Sequence, residues 1–176
     1  MKTPARAQCY RSIFSSPGGN CNPAGQYDLG ILIDGSGSVG NYGFAQTKMF
    51  LLQLIPKVTV GADATHFGVI IYSDQPQLVI KFSDKMYYIP VYLKLRILGL
   101  EFPDGLTRTD KALEMAGSQL YAPGKSRQQV PRVLVVFTDG ETSQIKTYEA
   151  VLKPLKVSIK QSNIKLLTGS ELIIEN

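Results

Sequence analysis

Apolar positions along the chain fall into short blocks of two kinds. Residues 27–33, 66–72 and 133–137 are nearly uninterrupted apolar runs, each followed by polar or glycine-rich residues. Runs of that length fit strands buried on both faces of a parallel sheet. Between them, Phe44, Met49, Phe50, Leu52, Leu54 and Ile55 recur at helical spacing and stop near Pro56. Residues 77–82 predict another strand. The turn Ser73-Asp74-Gln75-Pro76 before it is too short for a parallel crossover, so this strand is expected to run antiparallel to 66–72. Over 84–99, Tyr87, Tyr88, Val91, Leu95 and Leu98 fit a helix that Pro90 begins or breaks. Residues 109–120 predict a helix with Ala112, Leu113, Ala116 and Leu120 inward and Thr109 or Asp110 near its start. A helix over 148–158, with Pro154 inside it, and a last strand at 164–167 complete the pattern.

This alternation predicts an α/β fold: a doubly wound, mostly parallel sheet with one antiparallel edge strand and helices on both faces. In such sheets ligands bind beyond the carboxyl ends of the strands. Two aspartates, Asp34 and Asp139, stand at such ends.

Composition supports one globular unit. The chain has 176 residues, of which 44% are hydrophobic and 19% charged, enough to build a core and too apolar for disorder. Residues 1–25, punctuated by Pro4, Pro17, Gly18, Gly19, Pro23 and Gly25, are expected to be irregular, and 26–176 to form the domain. No apolar run is long enough to span a bilayer. No apolar stretch follows Lys2 and Arg6, so no signal peptide is visible, which fits either an intracellular protein or a fragment that has lost its leader. The net charge of +5 is scattered. Its densest part, Lys153, Lys156, Lys160 and Lys165, alternates with apolar residues as a solvated helix face does, so nucleic acid is not an expected partner. Cys9 and Cys21, with no other Cys or His nearby, either close a small disulfide loop or remain two thiols.

The candidate chemistry lies in Asp34-Gly35-Ser36-Gly37-Ser38. One carboxylate and two hydroxyls alternate with glycines that let the backbone turn sharply. Hard cations such as Mg²⁺ take oxygen ligands and retain some water, so these three groups make half a shell. Thr107, in Asp104-Gly105-Leu106-Thr107-Arg108-Thr109-Asp110, and Asp139, in Phe137-Thr138-Asp139-Gly140-Glu141, can supply more oxygens from separate loops.

Taken in order, the strand, the DGSGS loop, the TRT loop before a helix and the VLVVFTDGE run resemble the von Willebrand factor type A (VWA, or integrin I-like) domain over about residues 26–168. Its metal-ion-dependent adhesion site is D-x-S-x-S with a distant Thr and a distant Asp. Asp34, Ser36, Ser38, Thr107 and Asp139 match all five positions. The resemblance implies a non-enzymatic module that binds Mg²⁺, with Mn²⁺ and Ca²⁺ as alternatives. It implies direct contact of the serines, and in some states of the threonine, with the metal, while the aspartates act through water. The coordination shell is then completed by an Asp or Glu of a partner protein, such as a matrix protein of the collagen kind. It also implies cell adhesion or matrix assembly outside the cell, as in secreted matrilin-like or collagen-associated proteins, and favours a Cys9–Cys21 disulfide. An intracellular VWA scaffold with the same site is the alternative. Tyr42 and Asp74 lie beside the expected metal face and are candidate partner contacts. The family usually continues past residue 168 with further sheet and a final helix. The tail 169–176 is atypical, which fits a C-terminally truncated version of the fold, a fragment or a divergent end.

Other chemistries fit less well. Gly35-x-Gly37-x-x-Gly40 matches a dinucleotide fingerprint, but Asp34 would face the pyrophosphate with like charge, and no acidic residue stands where the ribose needs one. A phosphatase built on a nucleophilic aspartate would need a second Asp at position 36, which is Ser. A serine-histidine mechanism would have to use His66, which is expected at the opposite end of the sheet. Capping or turn formation accounts for an isolated Asp-x-Ser but not for its coincidence with Thr107 and Asp139.

Overall fold

The computed structural model describes residues 25–139, 143, 164–168 and 171–174, the last two stretches as backbone only. Six strands form one sheet in the order β3-β2-β1-β4-β5-β6. Strand β1 (Asp28–Asp34) is central and wholly buried. It pairs in parallel with β2 (His66–Tyr72) on one side and β4 (Arg132–Thr138) on the other. The apolar runs therefore became interior strands, because only such strands have neighbours and helices on every side. β3 (Pro76–Ile80) returns antiparallel to β2 across the short turn, as expected. β5 (Ile164–Thr168) continues the parallel set beyond β4. The tail adds β6 (Glu171–Ile174), antiparallel to β5, so the sheet carries an antiparallel strand at each edge and not at one alone.

Alternating side chains of the strands enter two cores. On one face Ile31, Ile33, Val69, Ile71 and Val135 meet Phe44, Leu51 and Leu54 of helix α1 (Gly40–Leu54) and Leu93 and Ile97 of helix α2 (Pro90–Leu98). On the other, Leu32, Ile70, Leu134 and Val136 meet Ala112 and Leu113 of helix α3 (Thr109–Met115), with Ala116 and Leu120 just beyond it. The four inward positions expected from helical spacing are all fully buried.

Two segments differ from the sequence expectation. Residues 84–99 are not one helix. Lys85–Tyr88 forms a short 3₁₀ turn, Ile89 is extended, and α2 starts at Pro90. A proline disfavours helical backbone in the residue before it but is well placed in a first turn. The helix expected over 109–120 stops at Met115 and widens into a π turn, Ala116–Leu120. The expected helix 148–158, with Lys153, Lys156 and Lys160, and the cysteines Cys9 and Cys21 lie outside the described residues.

Candidate metal centre

The chain leaves β1 to build β2 and β3 on one side, then crosses to build β4 and β5 on the other. The carboxyl ends of β1 and β4 thus flank the point where strand order reverses, where an open α/β sheet leaves a crevice. Asp34 ends β1 there and Thr138 ends β4.

Asp34 is buried, and both its carboxylate oxygens are engaged. Oδ1 accepts the Ser36 amide at 3.0 Å, and Oδ2 accepts the Thr138 hydroxyl at 2.8 Å. Burial pushes the Asp34 carboxyl above the ordinary aspartate range. The bonds from Ser36 and Thr138 pull it back down, and the negative charge of Asp139 adds to the rise. That last contribution places Asp139, exposed just past β4, within electrostatic reach of Asp34.

The hydroxyls of Ser36 and Ser38 are 3.0 Å apart, and those of Ser38 and Thr107 are 3.5 Å apart. Ser36 and Thr107 are buried while Ser38 is exposed, so the row has two buried ends and an exposed middle. Residues 71 positions apart in sequence meet because three loops are stitched together by backbone bonds. Gly35 donates to the Tyr72 carbonyl at 2.8 Å, Gly37 to Gly105 at 2.9 Å, and Arg108 to Ser73 at 3.2 Å. The Ser143 amide reaches the Thr107 carbonyl at 3.0 Å, bringing the chain after Asp139 to the same place.

This donor set suits a hard cation. It offers neutral hydroxyl oxygens over a carboxylate that burial has made receptive to positive charge, and such oxygens are what Mg²⁺ or Ca²⁺ takes. No cluster of three or more His, Cys, Asp or Glu occurs among the described residues, so a softer, nitrogen- or sulfur-rich site is not formed by them. The glycine amides that a dinucleotide would need are spent internally, on Tyr72, Gly105 and, for Gly40, the Ser36 carbonyl at 3.2 Å. His66 lies at the other end of the sheet, where Nε2 is 2.9 Å from the Ala62 carbonyl and the ring stacks on Tyr88 at 4.1 Å.

The remaining expected residues divide. Tyr42, in the first turn of α1, is 79% exposed. Asp74 is exposed but engaged, its Oδ1 accepting the Leu106 amide at 3.1 Å. Arg108 and Asp110, given no metal role, pair with each other through two bonds of 2.9 and 2.8 Å. Sequence reasoning missed Thr138. Its one signal is a hydroxyl closing the apolar run 133–137 immediately before Asp139.

Residues 28–168 match the von Willebrand factor type A domain family. The chain is 31% identical over 115 residues to Cuticlin-6 of Caenorhabditis elegans, covering 64% of this chain and 19% of that protein. It is 29% identical to the collagen alpha-1(XX) chain of Mus musculus, covering 91% of this chain and 12% of that one. To the collagen alpha-6(VI) chain of Homo sapiens it is 30% identical, covering 80% and 6%. The chain thus spans less than a fifth of these relatives. Among solved structures, proximal thread matrix protein 1 from the mussel byssus with a zinc-occupied MIDAS motif superposes with a TM-score of 0.72. Identity there is 23%, over 82% of this chain and 36% of that one.

Proposed function

This chain belongs to the von Willebrand factor type A family, and from that premise we propose that it is a divalent-cation-dependent protein-binding module of the extracellular matrix. The observation that carries the reading is the row of hydroxyls Ser36, Ser38 and Thr107 set over the anchored Asp34 carboxylate. These three hydroxyls are the proposed direct ligands, with Asp34 and Asp139 supporting them through water. Held by these residues, Mg²⁺ would offer an electrophilic position to an Asp or Glu of a partner protein.

The protein's own part is arrangement. With hydroxyls as its direct ligands, a bound ion would touch few anionic groups and would stay receptive to an external carboxylate. Burial of Asp34 and Ser36 holds the floor rigid, while exposed Ser38 and Tyr42 face the approaching partner. Two similarities support the reading: collagens and a cuticlin among the relatives, and a zinc-occupied site in the byssus protein. The same similarities support a collagen-like matrix partner and secretion. The relatives give no support to an enzymatic role.

Calorimetric titration with Mg²⁺ and Mn²⁺ tests this directly. Binding is expected in the wild type and its loss in Ser36→Ala and Asp139→Ala. A wild type that ignores both cations at millimolar concentration, alone and with a glutamate-bearing collagen-like peptide present, overturns the proposal.

A further inference from the structure

The loop that brings Thr107 to the serines has an unusual backbone. Asp104 sits at φ +58° and Gly105 at φ +108°, so the chain turns through left-handed conformations immediately before it reaches Leu106 and Thr107. Within the loop the Gly105 amide donates to Asp104 Oδ1 at 2.7 Å, but left-handed backbone still costs energy for a non-glycine residue and glycine adds freedom, so the turn also draws support from outside the loop.

That support comes from the β2–β3 turn. The Asp74 carboxylate accepts the Leu106 amide at 3.1 Å, and the Ser73 carbonyl accepts the Arg108 amide at 3.2 Å, so the two bonds grip the residues on either side of Thr107. Gly105 packs so closely on Asp74 that a Cβ there would lie 2.5 Å from Oδ2. The Asp74 carbonyl in turn receives Lys111 Nζ from α3 at 3.2 Å. On its other side the loop holds the serine loop through Gly37 and Gly105, and a Cβ on Gly37 would come within 2.9 Å of Asp104 Oδ1. Asp74, Leu106–Arg108 and Gly37 therefore form one continuous brace.

We propose that Asp74 is a positioning residue: its carboxylate clamps the Leu106 amide and thereby sets where the Thr107 hydroxyl stands relative to Ser38. It acts as a hydrogen-bond acceptor, not as a source of negative charge for the ion or as a contact for the partner. The proposal deepens the metal-site reading and rests on it.

The variants Asp74→Ala and Asp74→Asn separate these roles, because an asparagine Oδ1 still accepts the amide while the charge is gone. Hydrogen exchange at Leu106 and Arg108 is measured in EDTA, which makes it independent of whether any metal binds. Faster exchange is expected at both amides in Asp74→Ala, with near wild-type exchange in Asp74→Asn. Mg²⁺ and Mn²⁺ titration should show affinity lowered roughly tenfold in Asp74→Ala, the size seen when groups that orient metal ligands are removed, and largely restored in Asp74→Asn. Unchanged exchange in Asp74→Ala overturns the clamp. Equal loss of affinity in both variants overturns it in favour of the charge. A wild type that binds no cation defeats the metal reading, while the exchange data still decide the clamp.

Discussion

At the scale of single residues, the site depends on how a buried carboxylate is kept in one orientation. Asp34 sits on the central strand with little water, so each of its oxygens needs a donor, and the donors come from different parts of the chain: Ser36 two residues on and Thr138 on the neighbouring strand. Thr138→Val keeps the shape of the side chain and removes the hydroxyl. It is expected to cost about 1–2 kcal/mol of stability, since a buried acceptor then loses its partner. It should also weaken Mg²⁺ binding, because Asp34 then loses the Thr138 hydroxyl and keeps its bonds to Ser36. Urea denaturation in EDTA and a metal titration check the two effects separately, and a variant unchanged in both removes Thr138 from the site.

Among the elements, the π turn after α3 does work that a regular helix would not. Its wider winding, closed by the Tyr121 amide on the Ala116 carbonyl at 2.9 Å, turns Tyr121 under the sheet. There its hydroxyl accepts the Gly30 amide at 2.9 Å and donates to the Val133 carbonyl at 2.6 Å, joining β1 to β4 from below. Burial pushes this hydroxyl far above the ordinary tyrosine range, which favours the protonated, donating form. The fit leaves no room at Gly30, where a Cβ would collide with the Tyr121 hydroxyl. Tyr121→Phe is expected to lose about 1–3 kcal/mol, the cost of leaving a buried amide unpaired, measurable by chemical denaturation. None of this was legible in the sequence. Periodicity gave the inward positions Ala112, Leu113, Ala116 and Leu120 correctly, but one extra residue in a helical turn does not disturb that pattern enough to see. By contrast β2 was legible to the residue, because a fully buried strand writes its length as a nearly uninterrupted apolar run. The tail strand β6 was not, since four residues beyond a glycine carry too little pattern. For the candidate metal centre, residue types and order pointed to Asp34, Ser36, Ser38, Thr107 and Asp139. The supports at Thr138 and Asp74 depend on which loops meet in space, and local sequence does not encode that.

Over the whole molecule, the charged ends of β1 are given different tasks. Asp34 closes one end in the candidate metal centre, and Asp28 closes the other in a buried ion pair. Asp28 accepts the Arg127 amide at 2.6 Å and its Nε at 2.8 Å, and Arg127 Nη2 continues to the Tyr27 and Ala64 carbonyls at 2.8 and 2.9 Å. This one side chain ties together the entries to β1 and β2 and the loop before β4. Arg127→Ala takes the guanidinium away from the fully buried Asp28 carboxylate, leaving it the residue-127 amide and His66 Nδ1 at 4.0 Å, and should cost about 3 kcal/mol, the usual penalty for breaking a buried pair from one side. The two aspartates are the ends of a seven-residue strand, so about 20 Å separates them at the ordinary rise per residue. Sites that far apart with no shared partners add their effects independently. Arg127→Ala should therefore lower the urea midpoint while leaving Mg²⁺ affinity as in the wild type. Ser36→Ala should abolish metal binding with little change in the midpoint in EDTA. The double variant should show the two effects superposed. Metal affinity that falls in Arg127→Ala while the protein is still folded would mean that the ends of the sheet communicate, and that the central strand transmits strain and is not merely the rigid floor on which the two sites stand.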